Sequence, residues 1–285
     1  MSIRRRAWVL LAGLLVAGCT TNPAPPPMTV GATHDPETTL LAHIYAAGLR
    51  YYGTPARVEA ADDVMATLDT GKATVAPGFT GRLLRRLDPE STARSAASVY
   101  RAMVGALPEG IAAADYAIAA EDKPAIAVTE ATATRWGSRD LTALVRNCAG
   151  LRLGVIPGSE TTGSPITGVV GDCTLPAPRD YRDAASLFDA LRTGDITAAW
   201  TTTADTRVPE GAVVLVDRDP TLIPAENVVA LYRRNEIPTM ALRAVNEIAG
   251  VLDTAALTNM LRQVKTGADP HDVAQEWLAA NPLGK

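Results

Sequence analysis

The chain has 285 residues, with 27 Lys and Arg against 31 Asp and Glu and a formal net charge of −4. That balance, with the arginines dispersed among carboxylates, excludes the basic stripe of a nucleic-acid surface. The densest basic groups, Arg82-Arg85-Arg86 and Arg233-Arg234, read as solvated faces. Hydrophobic residues make up 47% of the chain but aromatic ones only 5%, so each ring is worth locating.

Arg4, Arg5 and Arg6 precede an apolar run, Ala7 to Ala17, which leads through Gly18 to Cys19. A basic patch, a short apolar stretch and small residues form an export signal. The run is too short to cross a bilayer as a helix, which needs ~20 residues. Leu15-Val16-Ala17-Gly18-Cys19 resembles the lipobox of bacterial lipoproteins. That resemblance implies removal of residues 1–18 and acylation of Cys19. An uncleaved anchor and a non-lipidated signal are the alternatives. Residues 19–27 are proline-rich and read as an extended tether. The expectation is a domain lipid-anchored at the outer face of the cytoplasmic membrane, without a transmembrane helix.

Met28 to Ala32 reads as a short buried strand, followed by the polar loop Thr33-His34-Asp35-Pro36. Leu40, Leu41, Ile44, Tyr45 and Leu49 follow helical spacing from Glu37, and Gly53 stops that helix. A short helix over 62–68, a strand over 73–77 and a helix over 92–107 come next. Strands are expected over 125–129 and 151–156, with a helix from Asp140 to Arg146 between them. A helix over 184–191 then precedes strands over 196–200, 213–216 and 227–232. The C-terminus is expected to be helical over 238–252, 254–265 and 270–280, with Asp253 and Asp269 as caps and Pro270 in the last helix's first turn. Strands alternating with helices argue for α/β layers with mostly parallel sheets.

Apart from Cys19 the cysteines are Cys148 and Cys173. In an oxidising compartment two lone cysteines favour a disulfide. A metal site is the rival reading, although no histidine lies near them. His34 and His43 are nine residues apart, which is not the spacing of a metal-binding helix pair. No Gly-x-Ser-x-Gly, Ser-x-x-Lys or HExxH occurs, and Gly158 to Gly163 lacks the lysine of a phosphate loop. The enzyme case is weak.

Several segments, in order, resemble the osmoprotectant substrate-binding proteins of ABC transporters, the glycine betaine/choline/carnitine family. Gly31 to Glu37 and Ile44 to Leu49 are similar to its opening strand, "FTEQ" loop and "IYAQAL" helix. Leu68 to Gly81 is similar to its "L-x-x-G-x-x-D-x-x-P-x-Y-T-G" segment, and Ala120 to Thr129 to its inter-domain crossing. Ala190 to Ile196 with Trp200 to Asp205 resembles "A-L-x-x-G-x-V-D-x-x-x-x-Y-x-T-D", and Asn246 to Leu278 is similar to the closing helices. The likeness spans residues 28–283.

The resemblance implies an α/β, bilobal, periplasmic-binding-protein-like (type II) fold, its two lobes joined by two crossing strands. Residues 28–121 and 226–285 would form one lobe and 122–225 the other. Ligand would lie in the cleft between them and would be buried by hinge closure. No cofactor is required. The implied partners are a small solute and the permease subunits, with the receptor itself a monomer.

A quaternary ammonium donates no hydrogen bond and is best held against aromatic faces. Phe79 stands where the family often has a cage tyrosine and Trp200 at a second aromatic position, although either ring is equally readable as core. Thr80, Thr201, Thr202, Asp205, Asp122 and Asn227 are polar candidates beside them. Thr33 and His34 come from the first loop, Ser159 from the loop after the 151–156 strand, and Tyr116 from just before the crossing. The threonines are also readable as turn and cap residues. Glu226 replaces the tyrosine of the family's "P-P-Y-N", and the arginine after the second-lobe "P-E-F" is missing. Glu226 is either a partner for a cationic ligand, favouring choline or a polyamine, or a residue with no ligand role.

The expected function is therefore an importer's receptor for a compatible solute such as glycine betaine or choline. The alternatives are the same receptor with another small polar or aromatic ligand, a lipoprotein hydrolase, and a sensory lipoprotein that binds a partner.

Overall fold

The computed structural model describes residues 26–158, 168–218 and 220–284, so the export signal, Cys19 and Ser159 lie outside it. One sheet is built from β1 (Met28–Ala32), β2 (Ala56–Ala60), β3 (Val75–Phe79), β4 (Ile111–Ala113) and the chain's last strand, β12 (Val228–Arg233). Their order is β2-β1-β3-β12-β4. A second sheet contains β5 (Pro124–Thr129), β6 (Leu153–Val155), β9 (Arg179–Asp180), β10 (Ala198–Thr202) and β11 (Ala212–Val214), in the order β11-β5-β10-β6-β9. β7 (Val169–Val170) and β8 (Cys173–Thr174) form a small hairpin.

The sheets are mixed, where a mostly parallel arrangement was expected. β1 runs parallel to β2 and β3, but β12 is antiparallel to both β3 and β4. In the second sheet β5 is antiparallel to β10 and β11. The chain leaves the first sheet through β5 and returns through β12. The two crossings meet at a Glu121–Asn227 bridge, with Asp122 N–H donating to the Glu226 carbonyl. A returning strand must enter its sheet against the direction of its neighbours, and hydrophobic spacing carries no sign of that.

Alternation along each strand sorts the side chains onto two faces. In β10, Ala198 and Trp200 point to a core with Ile126, Val128, Leu141 and Leu144, while Ala199 points to the opposite core with Leu187 and Leu191. In β12, Val228 and Ala230 meet one layer of helices, and Val229 and Leu231 the other. The first layer centres on α1 (Pro36–Tyr51), whose Leu40, Leu41, Ile44, Tyr45 and Leu49 are all fully buried. Each such Leu or Ile contributes roughly 1.5–3 kcal/mol by leaving water. α1 is covered by α8 (Thr239–Val251), α9 (Thr254–Lys265) and α10 (Pro270–Ala280). Asp253 and Asp269 cap α9 and α10, as the sequence indicates.

The opposite layer comprises α2 (Val64–Asp69), α3 (Thr80–Leu87) and α4 (Ala96–Ala106). On the second sheet lie α5 (Glu130–Trp136), α6 (Leu141–Arg146) and α7 (Ala184–Thr193). Asp140 stands at the start of α6 without a capping bond from its side chain, which accepts instead from the Ser138 hydroxyl. Cys148 and Cys173 form a disulfide that ties the end of α6 to β8. Among the described residues, no helix is long and apolar enough to cross a membrane.

Candidate functional site

A cavity of about 680 Å³ opens where the end of β1, the first turn of α1 and the start of α3 meet the crossing. Thr33, His34, Asp35 and Glu37 supply one wall and Arg82 the back. Asp122 from the crossing, Ala204 from the turn after β10, and Leu261 and Lys265 from α9 complete it.

Local rules fix the first wall. Asp35 caps α1 by accepting from the Thr38 N–H at 2.8 Å, and Pro36 occupies the first turn, where a missing N–H costs nothing. The hydroxyls of Thr33 and Thr38 also donate to the Asp35 carboxylate. Burial alone would raise the Asp35 carboxyl, but these bonds hold it below the ordinary carboxylate range. His34 turns toward Asp62, 3.3 Å away at the surface.

Arg82 organises the rest. Its Nε donates to Glu226 at 2.9 Å, Nη1 to Glu37 at 2.8 Å, and Nη2 to the Asp122 carboxylate at 2.6 Å. Nη2 also reaches the Asp122 carbonyl at 3.1 Å. The guanidinium carbon lies 4.1 Å from the centre of the Phe79 ring. Burial opposes the charge on Arg82, but the three carboxylates more than restore it. Arg85 Nη1 lies 2.6 Å from the second oxygen of Glu226, a second charge contact on the same carboxylate.

Gly81 makes this approach possible. A Cβ there would stand 2.5 Å from the Ala225 carbonyl oxygen and 2.7 Å from Glu226 Cγ. Burial, ahead of the opposing pull of Arg82 and Arg85, raises the Glu226 carboxyl. Burial and the charge of Asp122 push Glu37 up to about 8 against the pull of Arg82.

Of the residues singled out from the sequence, Thr33, His34 and Asp122 line this cavity. Glu226 is fully buried behind Arg82, so the chain itself already neutralises it. Phe79 is 1% exposed beneath Arg82, and Trp200, 3% exposed, packs in the second-sheet core. Thr80 and Asn227 lock β3 to β12: the Asn227 N–H donates to the Thr80 hydroxyl and the Thr80 N–H to the Asn227 carbonyl. The buried Asp205 accepts from Thr201 at 3.0 Å and from Arg207 at 2.8 Å. Burial acts to raise Asp205, but the Arg207 and Thr201 bonds hold it low. Thr202 is buried next to the Lys123–Thr203 contact, and its hydroxyl finds no partner among the described residues. Tyr116 is paired with Tyr100, ring centres 4.8 Å apart, at a separate cavity of about 390 Å³.

Arg82, Glu37, Asp35 and Lys265 were not singled out. Arg82 read as part of a solvated basic face, yet its side chain is only 29% exposed. The available signal was Gly81 beside Thr80 at a strand end, which marks close backbone approach. A second cavity of about 700 Å³ runs beside α7, with Phe188 and Leu191 in its wall. It sits on the flank of the second sheet alone, whereas the first lies where strand ends of both halves converge, the usual place for a ligand in α/β sheets.

No Phe, Tyr or Trp lines the junction cavity among the described residues, and the sequence of residues 159–167 contains none. The donors and acceptors there suit a small polar molecule held by hydrogen bonds and charge. Among the described residues no cluster of three or more metal-ligating side chains occurs.

Two α/β halves joined by antiparallel crossings around a polar cavity define a bilobal solute-binding protein. The chain belongs to the family described as the substrate binding domain of ABC-type glycine betaine transport systems, which it matches over residues 26–280. It is similar to a solved structure described as a glycine betaine/carnitine/choline ABC transporter, with TM-score 0.73 and 17% identity over 89% of this chain and 98% of the other. Apo YehZ from Escherichia coli gives TM-score 0.70 and 19% identity over 90% and 99%. An ABC-transporter choline binding protein in complex with choline gives 0.54 and 15% over 90% and 89%. At these identities the likeness establishes the fold. No curated protein sequence matches the chain.

Proposed function

We propose that the protein is the extracytoplasmic substrate receptor of an ABC importer, closing on a small solute in the junction cavity and delivering it to a membrane permease. Its membership of the glycine betaine substrate-binding family over residues 26–280 carries this reading. Residues 28–121 with 226–285 and residues 122–225 act as the two lobes, hinged at the Glu121–Asn227 bridge. A lipid on Cys19 and the 19–27 tether hold them at the outer membrane face.

The family points to a quaternary ammonium such as glycine betaine or choline. The cavity lining favours a second reading within the same role, a small polar solute that itself donates hydrogen bonds. Glu37 and Asp122 offer acceptors for such donors, Lys265 offers a donor, and no Phe, Tyr or Trp face is available for a methylated ammonium.

Uptake of labelled solutes by cells with and without the chain tests the role, alongside thermal shift of the purified protein. The panel contains betaine, choline, carnitine, proline, polyamines, arginine and small polyols. A true ligand at 100 times its Kd adds about 2.7 kcal/mol to stability. Uptake of that solute should need the chain and should fall in the Cys19→Ala variant. A panel without shift or chain-dependent uptake overturns the reading.

A further inference from the structure

We propose that Arg82 is the specificity-determining residue of this cavity, its guanidinium occupying the cation position on Phe79 and so shutting out a quaternary ammonium; this rests on the receptor reading above. The ring and the cation are both in place within the chain. Phe79 is 1% exposed, and the guanidinium lies 4.1 Å from its centroid, within the range of a cation–π contact. Around that guanidinium stand Glu37, Asp122 and Glu226, each hydrogen-bonded to a different nitrogen at 2.6–2.9 Å. An aromatic face with carboxylates around it is the environment that holds an organic cation, and here the occupant is tethered.

Displacement by a free quaternary ammonium is unfavourable on two counts. A methylated ammonium has no N–H, so it replaces none of the hydrogen bonds that Arg82 makes. Arg82 would leave behind two almost fully buried carboxylates, Asp122 and Glu226, with their main partner gone. The fold also holds Arg82 in place, since Gly81 draws the first turn of α3 against Ala225 and Glu226. The native solute therefore meets the outer edge of Arg82 together with Thr33, Glu37 and Lys265, and never the face of Phe79.

Removing the tethered cation should open the box to a free one. The test is calorimetric titration of choline and tetramethylammonium into the full-length wild type, Arg82→Ala and the gentler Arg82→Gln, with folding checked by circular dichroism. Wild type should bind neither ion at millimolar concentration. Either folded variant should bind both at least tenfold more tightly than the wild-type limit, and adding Phe79→Ala should abolish the gain. Submillimolar choline binding by wild type, or folded variants that gain nothing, overturns the proposal. The two readings fail separately. A wild type that binds a polar solute while folded Arg82 variants gain no choline binding sinks this inference and leaves the receptor standing. Gain of choline binding in the variants, with a wild type that binds no solute of the panel, supports the inference and removes the ligand class.

Discussion

Glu37 gives the cluster around Arg82 a pH signature. Its carboxyl, pushed up to about 8 by burial and by Asp122, titrates near 4.5 in the unfolded chain. Between those values the folded protein holds a proton that the unfolded chain has released. The contribution of Glu37 to stability is therefore fully present below about pH 4.5 and is lost as pH rises through about 8. At about 1.4 kcal/mol per unit, the loss over that window is of order 3–5 kcal/mol, the lower value allowing Arg82 to relax toward the new charge. Burial raises Glu226 and Glu121 in the same direction, while burial lowers His43, whose contribution grows as pH rises through the histidine range, so the share of Glu37 is read from the difference between wild type and a variant. Glu37→Gln keeps the shape and the acceptor for Arg82 Nη1 but cannot ionise. Urea and thermal melts across that range should show the variant level with wild type near pH 5 and several degrees more stable near pH 8.5. Asp35, Asp63 and Asp205 are held low, so their contributions vanish only as pH falls below the ordinary carboxylate range, outside this window. Wild-type and variant curves that run parallel throughout would refute the reasoning.

Three further outcomes are expected. Reducing the Cys148–Cys173 bond, or replacing both cysteines by Ser, should cost about 3 kcal/mol, because it frees a loop of 25 residues in the unfolded chain; melts with and without reductant measure this, and identical melting points would contradict it. Gly81→Ala should destabilise by ~1–3 kcal/mol, since its Cβ meets the Ala225 carbonyl oxygen and Glu226 at distances no real contact tolerates. Chemical denaturation checks that value, and an unaffected midpoint would mean that α3 sits further from Glu226. Trp200→Ala should cost ~3–5 kcal/mol as a buried core residue, while the Kd of the folded fraction for any ligand stays unchanged by calorimetry.

Much of the fold was legible because long amphipathic helices and their caps are local. Asp253 and Asp269-Pro270 announce α9 and α10 in a few residues. The alternation in β5 and β10 was equally visible as apolar runs. Strand direction was not, because β12 runs antiparallel only as a consequence of where the second crossing re-enters. β2 escaped because its pattern, Ala-Arg-Val-Glu-Ala, belongs to an edge strand with exposed charges. α3 escaped because Thr80 to Leu87 is basic and short, and its role is set by Glu37, Asp122 and Glu226, up to 144 positions away in the chain.

The site was half legible for the same reason. Thr33 and Asp122 could be placed by likeness to the family segments that carry them. The partnership of Arg82 with three distant carboxylates has no local sign, and a basic run more often faces water. The rings of Phe79 and Trp200 illustrate the converse. Phe79 stands at the tyrosine of the segment over Leu68 to Gly81 and Trp200 two positions before that of the segment over Ala190 to Asp205, yet strand alternation points Trp200 into the second-sheet core and Arg82 covers Phe79.

Solute should bind in the junction cavity. Hydrogen–deuterium exchange with a solute that shifts the melting point tests it most directly. New protection is expected in residues 33–38, 203–206 and 261–265, the segments that wall the cavity, with α7 unchanged. Protection confined to α7 and residues 207–212, around the groove beside Phe188, would contradict it.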